Sequence, residues 1–461
     1  MRISTLLLTG IGMVVVAGFC SMYGKPSAYQ VVHAAQTPAT ALTYKQVVDD
    51  YLSNPGSVSP DKFSWEIFAV INTPVAQVNQ KRIGLRGGTI VTTNDVTWEQ
   101  WADNVDTFPS RSPTSPILPT FPEHGPSLPV RAGASKKCFK HLFQDSVHAQ
   151  VLKASTRRGV AFGKIVGPLF NGSEEVRRNR ESFNYIATNR LWTLAGILKM
   201  NQNNASPDPF SSNLAMPQYS IEVKAQWQPC TTAYPVCHAA HFNYDSHGNK
   251  YALVGLHVMT KVSASQWVFS SWEWAGDNTA PGNPDGNPGR CNIMGCIDSY
   301  GIQNGYGVNG GFTKPISTNP PPAPQSSVCE SSQLYPPGSL TQDVQNLLIA
   351  NNVAGEWQNY RLKVTQVNLD NPTPAIAGNS QIEHGYIKAA SCITCHGKAG
   401  ADHVNGNVDP SNLLTEDPNP APNCPGQVGP TGPRQAAWFM EYGNRASYQV
   451  DYVWSFLHVK K

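Results

Sequence analysis

The longest apolar run in the chain is Ser4 to Phe19, which follows a single basic residue, Arg2. Beyond it the apolar positions become periodic. Helical spacing marks Tyr44 to Leu52 and Asp61 to Ile71. The stretch Ser173 to Met200 predicts the strongest helical segment of the first half. Glu174, Glu175 and Glu181 sit early, and Ile186, Leu191, Leu194, Ile197 and Leu198 recur at helical spacing. The period then switches to two. From Tyr219 to Trp227, Ile221, Val223, Ala225 and Trp227 share one face, and Glu222, Lys224 and Gln226 the other. Tyr251 to Lys261 and Gln266 to Trp274 read as two more strands, joined by a short Ser-containing turn that suggests a hairpin. Leu340 to Ile349 and Ile382 to Ala390 return to helical spacing.

Proline and glycine separate these elements. Phe108 to Pro129 is too rich in proline for helix or central strand and is expected to run extended. Gly276 to Gly311 predicts a long Gly/Asn-rich loop, and Pro315 to Pro337 a linker. The 38 glycines and 37 prolines of the 461 residues agree with long irregular connections. The expected organisation is a signal peptide over 1–34, a mostly helical region over 35–210, an antiparallel β unit over 211–325 and a C-terminal region over 326–461.

Charge and export narrow the function classes. A net charge of +3 argues against a nucleic-acid binder. Arg2, the apolar run and the small-residue site Val32-His33-Ala34 predict an export signal cleaved before Ala35, with an uncleaved anchor as the alternative. Cys20 follows bulky Phe19, which speaks against lipidation. No later segment offers the roughly 18 apolar residues a membrane span requires. Ten cysteines suit an oxidising compartment.

The chemistry is concentrated in Cys392-Ile393-Thr394-Cys395-His396. Covalent haem attachment needs two thiols one helical turn apart, one for each vinyl group. It also needs a histidine directly after the second thiol as proximal iron ligand. This spacing predicts one haem c, bound through Cys392 and Cys395 with His396 on the iron. A redox dithiol or half a zinc site would use the same cysteines, but the one wants a βαβ context and the other a second pair nearby. Apart from these two and Cys20, Cys138, Cys230, Cys237, Cys291, Cys296, Cys329 and Cys424 remain, an odd number. The close pairs Cys230/Cys237 and Cys291/Cys296 are disulfide candidates, with a zinc site as the rival.

The distal iron ligand is open between Met440, the only methionine beyond the motif, and His257, which shares a strand face with Met259. His384, His403 and His458 are nearer in sequence, and an open sixth position is a further alternative. His257 and Glu273 come from adjacent expected strands, so they form a candidate catalytic acid/base pair or a structural one. Asp277, Asn278 and Asp285 lie in the Gly-rich loop, at a spacing that fits no recognised calcium loop.

Several segments carry a family likeness. They include Phe63-Ser64-Trp65-Glu66 with Ala69-Val70-Ile71-Asn72, Trp98-Glu99-Gln100-Trp101, and Asn179 to Asn189. In the β unit they are Ser220 to Lys224, Gly255 to Val258, and Trp267 to Glu273 followed by Asp277-Asn278. Gly378-Asn379-Ser380, Ser391 to His396 and Asp451 to Phe456 complete them. In these the chain resembles a group of exported bacterial monohaem c-type cytochrome proteins. Trp272 stands where the group has Phe, and Met440 matches none of its motifs.

The resemblance implies a periplasmic haem protein and no particular substrate. Together with the motif, it leads to an α+β expectation: a helical N-terminal region, an antiparallel β-rich middle and a mainly helical, cytochrome c-like haem region. The expected function is electron transfer between redox partners, an exported dehydrogenase as donor and a cytochrome or other carrier as acceptor. The alternatives are a haem enzyme or ligand sensor with an open or displaceable sixth position, and a small-molecule or partner binding module with accessory haem.

Overall fold

The computed structural model describes residues 42–54, 57–58, 60–75, 96–109, 118–122, 173–201, 206, 208, 210, 212–230, 240–244, 250–274, 342–353, 355–367, 379, 382, 392–402, 404–408, 439–441, 444–445 and 447–459. The alternating segments pair into one antiparallel sheet of seven strands. They are β1 (Ala102–Asp103), β2 (Ser173–Arg178), β3 (Ile221–Pro229), β4 (Phe242–Tyr244), β5 (Lys250–Ser263), β6 (Gln266–Trp274) and β7 (Tyr360–Gln366). The order is β1-β2-β3-β5-β6-β7, and β4 pairs with the start of β5 beyond the end of β6. The expected hairpin joins β5 to β6, with Ser263 opposite Gln266 across a two-residue turn.

Because strand side chains alternate between faces, each register row assigns residues to one of two layers. Val223, Leu256, Val258, Val268 and Trp272 are buried on the first face, against helices α1 (Tyr44–Ser53) and α2 (Pro60–Ile71) and the helix Gln342–Ala350. α2 is buried almost all round, as its apolar composition requires. Its Phe68 ring lies 4.9 Å from Trp272 and 5.6 Å from Trp357. Ser64 shares hydrogen bonds with Ser270 at 2.7 Å and Thr365 at 2.9 Å, which satisfies the hydroxyl that α2 buries on the sheet.

The second face carries Met259, Trp267 and Phe269. These join a separate core with Ile186, Leu191 and Ile197 and with Ile393, Phe439, Val453 and Trp454 from the C-terminal region. No described helix is long and apolar enough to cross a membrane.

This arrangement overturns the α+β expectation of a mainly helical, cytochrome c-like haem region. The sheet draws β1 and β2 from the first region and β7 from the last. Around the six-residue motif helix Cys392–Gly397, the described residues form β8 (Gly400–Asp402), β9 (Met440–Glu441), β10 (Asn444–Arg445) and β11 (Ser447–Gln449). β8 pairs with β11 and β9 with β10, before a 3-10 helix at Trp454–His458. Helix Gln342–Ala350, expected to lead towards the haem region, instead sends Val344 and Leu348 into the first core.

Ser173 to Met200 also departs from the expected helical segment. Its first six residues are β2, followed by helices Arg180–Thr188 and Leu194–Asn201. The early acids that suggested a helix start are balanced in the sheet: Glu174 pairs with Lys224 of β3 at 3.1 Å, and Glu175 with Arg177 of its own strand at 2.6 Å. Asn179 then caps the first helix, accepting from the Ser182 N–H.

The two helices are separated at Arg190, whose φ of 56° turns the backbone left-handed. A Cβ on Gly196 would lie 2.0 Å from the Arg190 carbonyl oxygen. A helical Gly→Ala change ordinarily stabilises by about 1 kcal/mol. Here Gly196→Ala is expected to destabilise by about 1–3 kcal/mol, as overpacking does. A denaturation midpoint that rises in this variant would refute the close approach.

Candidate functional site

A six-residue helix cannot stand alone in water, so the motif helix depends on what holds it. Ile393 is buried in the second core, and its N–H donates to Gln366 Oε1 of β7 at 2.9 Å. At the other end, Trp454 Nε1 donates to the Cys395 carbonyl at 2.8 Å, and Gln449 Nε2 to the Gly397 carbonyl at 2.9 Å. These bonds satisfy backbone groups that a helix end leaves open. Three residues apart on this helix, Cys392 and Cys395 are neighbours on its surface. Cys392 is buried, Cys395 is partly exposed, and neither is disulfide-bonded.

His396 is half-buried at the helix end. Its Nδ1 lies 2.7 Å from the Tyr452 carbonyl oxygen. A carbonyl only accepts, so Nδ1 carries the proton and Nε2 keeps its lone pair. Among the described residues Nε2 makes no hydrogen bond. Burial pushes the imidazole pKa down to about 4; the Tyr452 carbonyl opposes this and the Lys224 charge adds to it. The ring is therefore neutral near pH 7, the form that binds metal. Phe269 of β6 packs 5.2 Å away at 49°.

The carbonyl that orients His396 belongs to a tight turn. Asp451 and Tyr452 both have positive φ, 48° and 67°. The Asp451 carboxylate takes Lys261 Nζ at 2.7 and 2.9 Å, Trp267 Nε1 at 3.1 Å and the Met216 N–H at 2.6 Å. Burial lowers the Lys261 pKa against the pull of Asp451, and raises that of Asp451 against the pull of Lys261.

These residues fit a covalently attached haem. Two thiols one turn apart would form the thioethers, and a neutral imidazole with its Nδ1 proton engaged would offer Nε2 to iron.

The other expected site residues are distributed as follows. His257, half-buried, sits in one row with Lys224 and Ser271, on the face that carries Met259 and Phe269. Glu273 is fully buried and lies opposite Gly255 and Arg361, so it is diagonal to His257 and not its cross-strand partner. The backbone of Met440 is in β9, opposite Arg445, and its side chain lies outside the described residues. His458 lies 6.2 Å from the Phe108 ring. His384, His403, Asp277, Asn278 and Asp285 lie outside the described residues, as do residues 1–41 and Cys138, Cys237, Cys291, Cys296, Cys329 and Cys424. Cys230 is disulfide-bonded.

Sequence reasoning missed Gln366, Lys261, Asp451, Tyr452 and Trp454 as site residues. The signal within reach was Asp451 to Phe456, which belongs to the family likeness but offers no recognisable chemistry by itself. No protein-family model, no curated protein and no solved structure matches this chain.

Proposed function

We propose that this chain is an exported electron-transfer protein carrying one haem c, attached at Cys392 and Cys395 and ligated by His396. The observation that carries this reading is the 2.7 Å bond from His396 Nδ1 to the Tyr452 carbonyl. It selects the tautomer in which Nε2 keeps its lone pair and could bind a metal, directly after a pair of thiols at the attachment spacing. Bound haem supplies one-electron chemistry between ferric and ferrous iron.

The chain's own residues supply the rest. Cys392 and Cys395 anchor the group, His396 orients it, and the apolar wall of Met259, Phe269 and Ile393 excludes water from this side. Such a wall disfavours the extra positive charge of the ferric state and raises the potential. The donor class is an exported dehydrogenase and the acceptor a cytochrome or other carrier in the periplasm. His257 and Met440 are the candidates for the sixth position.

The seven-stranded sheet and its first core exceed what a simple carrier needs. They favour, as a second reading, a haem enzyme or ligand sensor with an open or displaceable sixth position. One preparation tests both readings. Protein made with a haem-attachment system is denatured and extracted with acid–acetone, and spectra of the folded form are recorded with and without carbon monoxide. One retained haem per chain and a ferrous spectrum indifferent to carbon monoxide are expected. Ready carbon monoxide binding would favour the second reading, and complete extraction of the haem would reject both.

A further inference from the structure

Two consecutive non-glycine residues with left-handed backbones form a turn that relaxes unless something holds it. At Asp451 and Tyr452 the turn is closed by the Val453 N–H on the Val450 carbonyl at 3.0 Å, and three further groups converge on the Asp451 carboxylate. Lys261 comes from β5, Trp267 from β6, and the Met216 N–H from the segment leading into β3. We propose that the Lys261–Asp451 pair is a positioning device for His396, locking the turn so that the Tyr452 carbonyl receives the Nδ1 proton. This rests on the haem reading above and adds to it the residues that set the imidazole's orientation and basicity.

Stability alone does not explain the pair. Desolvation is the largest influence on both partners and works against charge on each. A buried pair of this kind is often no more stabilising than an apolar pair of similar volume. What it provides is direction. The carboxylate is anchored to two strands of the sheet and to the segment that precedes β3, and Tyr452 is the next residue in the chain. Outer partners of this type make a metal-bound histidine a stronger donor, and their loss typically changes metal affinity or activity 10–100-fold. A stronger donor favours ferric iron, so loosening the turn shifts the balance towards ferrous.

The test uses holoprotein with 15N-labelled histidine, as the parent chain, as Asp451→Asn, and as the double variant Lys261→Met, Asp451→Asn. Asn tolerates the left-handed region, and the double variant leaves no unpaired buried charge. Circular dichroism confirms folding, and thioether-bound haem is counted on denatured protein. Two readouts decide the proposal: the exchange rate of the His396 Nδ1 proton and the midpoint potential. The expected result is exchange about tenfold faster, and a roughly tenfold shift towards ferrous iron, which is about 59 mV for one electron. Folded variants with parental exchange and potential would overturn it, leaving the pair a mere tie between chain segments.

Should both Asp451 variants unfold, Trp267→Phe removes a single bond to the carboxylate and decides by the same two readouts. A parent chain without covalent haem would sink the haem reading instead. The Nδ1 exchange rate, compared across the same chains, would still accept or reject the positioning role.

Discussion

The double variant Cys392→Ala, Cys395→Ala is expected to keep no haem after denaturation and acid–acetone extraction, where the parent chain keeps one. The loss is complete because the thioethers are the only covalent links that the motif provides. Each single variant should retain haem through one thioether. His396→Ala should leave both thioethers in place and change the spectrum, since it removes the nitrogen that the Tyr452 carbonyl orients. Folding is not expected to confound the comparison. Cysteine behaves as a small hydrophobe, and exchanging a thiol for hydrogen at these two positions costs on the order of 1 kcal/mol of burial. Circular dichroism of each variant provides the control. Haem that resists extraction from the double variant would place the attachment elsewhere. A parent chain that binds no haem but cycles between dithiol and disulfide would instead support the redox-dithiol reading.

Arg178→Ala is expected to cost about 3–5 kcal/mol, the usual result of removing one partner from a buried ion pair. The side chain is fully buried on β2. Its Nε reaches Glu222 on β3 at 3.3 Å, and its terminal nitrogens donate to the Asp103 carbonyl at 3.2 Å, the Thr107 hydroxyl at 3.0 Å and Asn104 Oδ1. Its guanidinium also lies over the Phe108 ring at 5.0 Å. Arg178 thus joins the edge strand β1 and the short helix Asn104–Thr107 to the body of the sheet. Truncation leaves Glu222, itself buried, without this cation. Against a typical total of about 5–15 kcal/mol, the effect should be plain in a denaturant midpoint. The double variant Arg178→Met, Glu222→Gln should recover part of it, because no bare charge is then left inside. A loss under about 1 kcal/mol for Arg178→Ala would show that Glu222 finds another partner.

Several soft sequence motifs acquire a physical meaning in the structure. Asn72 ends α2, donating to the Phe68 carbonyl and accepting from Trp98 Nε1. Asn179 caps a helix and also accepts from the Ile221 N–H of β3. Asn379 donates to Ser271 and to the Trp272 carbonyl. Each is a short polar side chain at a junction between elements. Its sequence neighbourhood shows the junction but not the partner.

α1, α2 and the β5–β6 hairpin were legible from the amino acids alone, because their apolar positions repeat with the period of the element and face a core. The placing of Cys392, Cys395 and His396 on one helical turn was legible for a related reason: two thiols and a histidine within five residues are a local arrangement. β2 was not. Glu174, Glu175, Arg177 and Arg178 look like a solvated helix start until β3 brings Lys224 and Glu222 to balance Glu174 and Arg178. β7 was missed although Tyr360 and Leu362 alternate with Arg361 and Lys363, because its place beside β6 is set by a contact far away in sequence.

The setting of His396 belongs to the same class. Sequence alone determined that a histidine follows two suitably spaced thiols. Which of its nitrogens carries the proton was decided by a carbonyl 56 residues away, held in a left-handed turn by a lysine 190 residues from its aspartate. Such a bond depends on distance in space, and only the folded sheet brings Lys261, Asp451 and His396 within reach of one another.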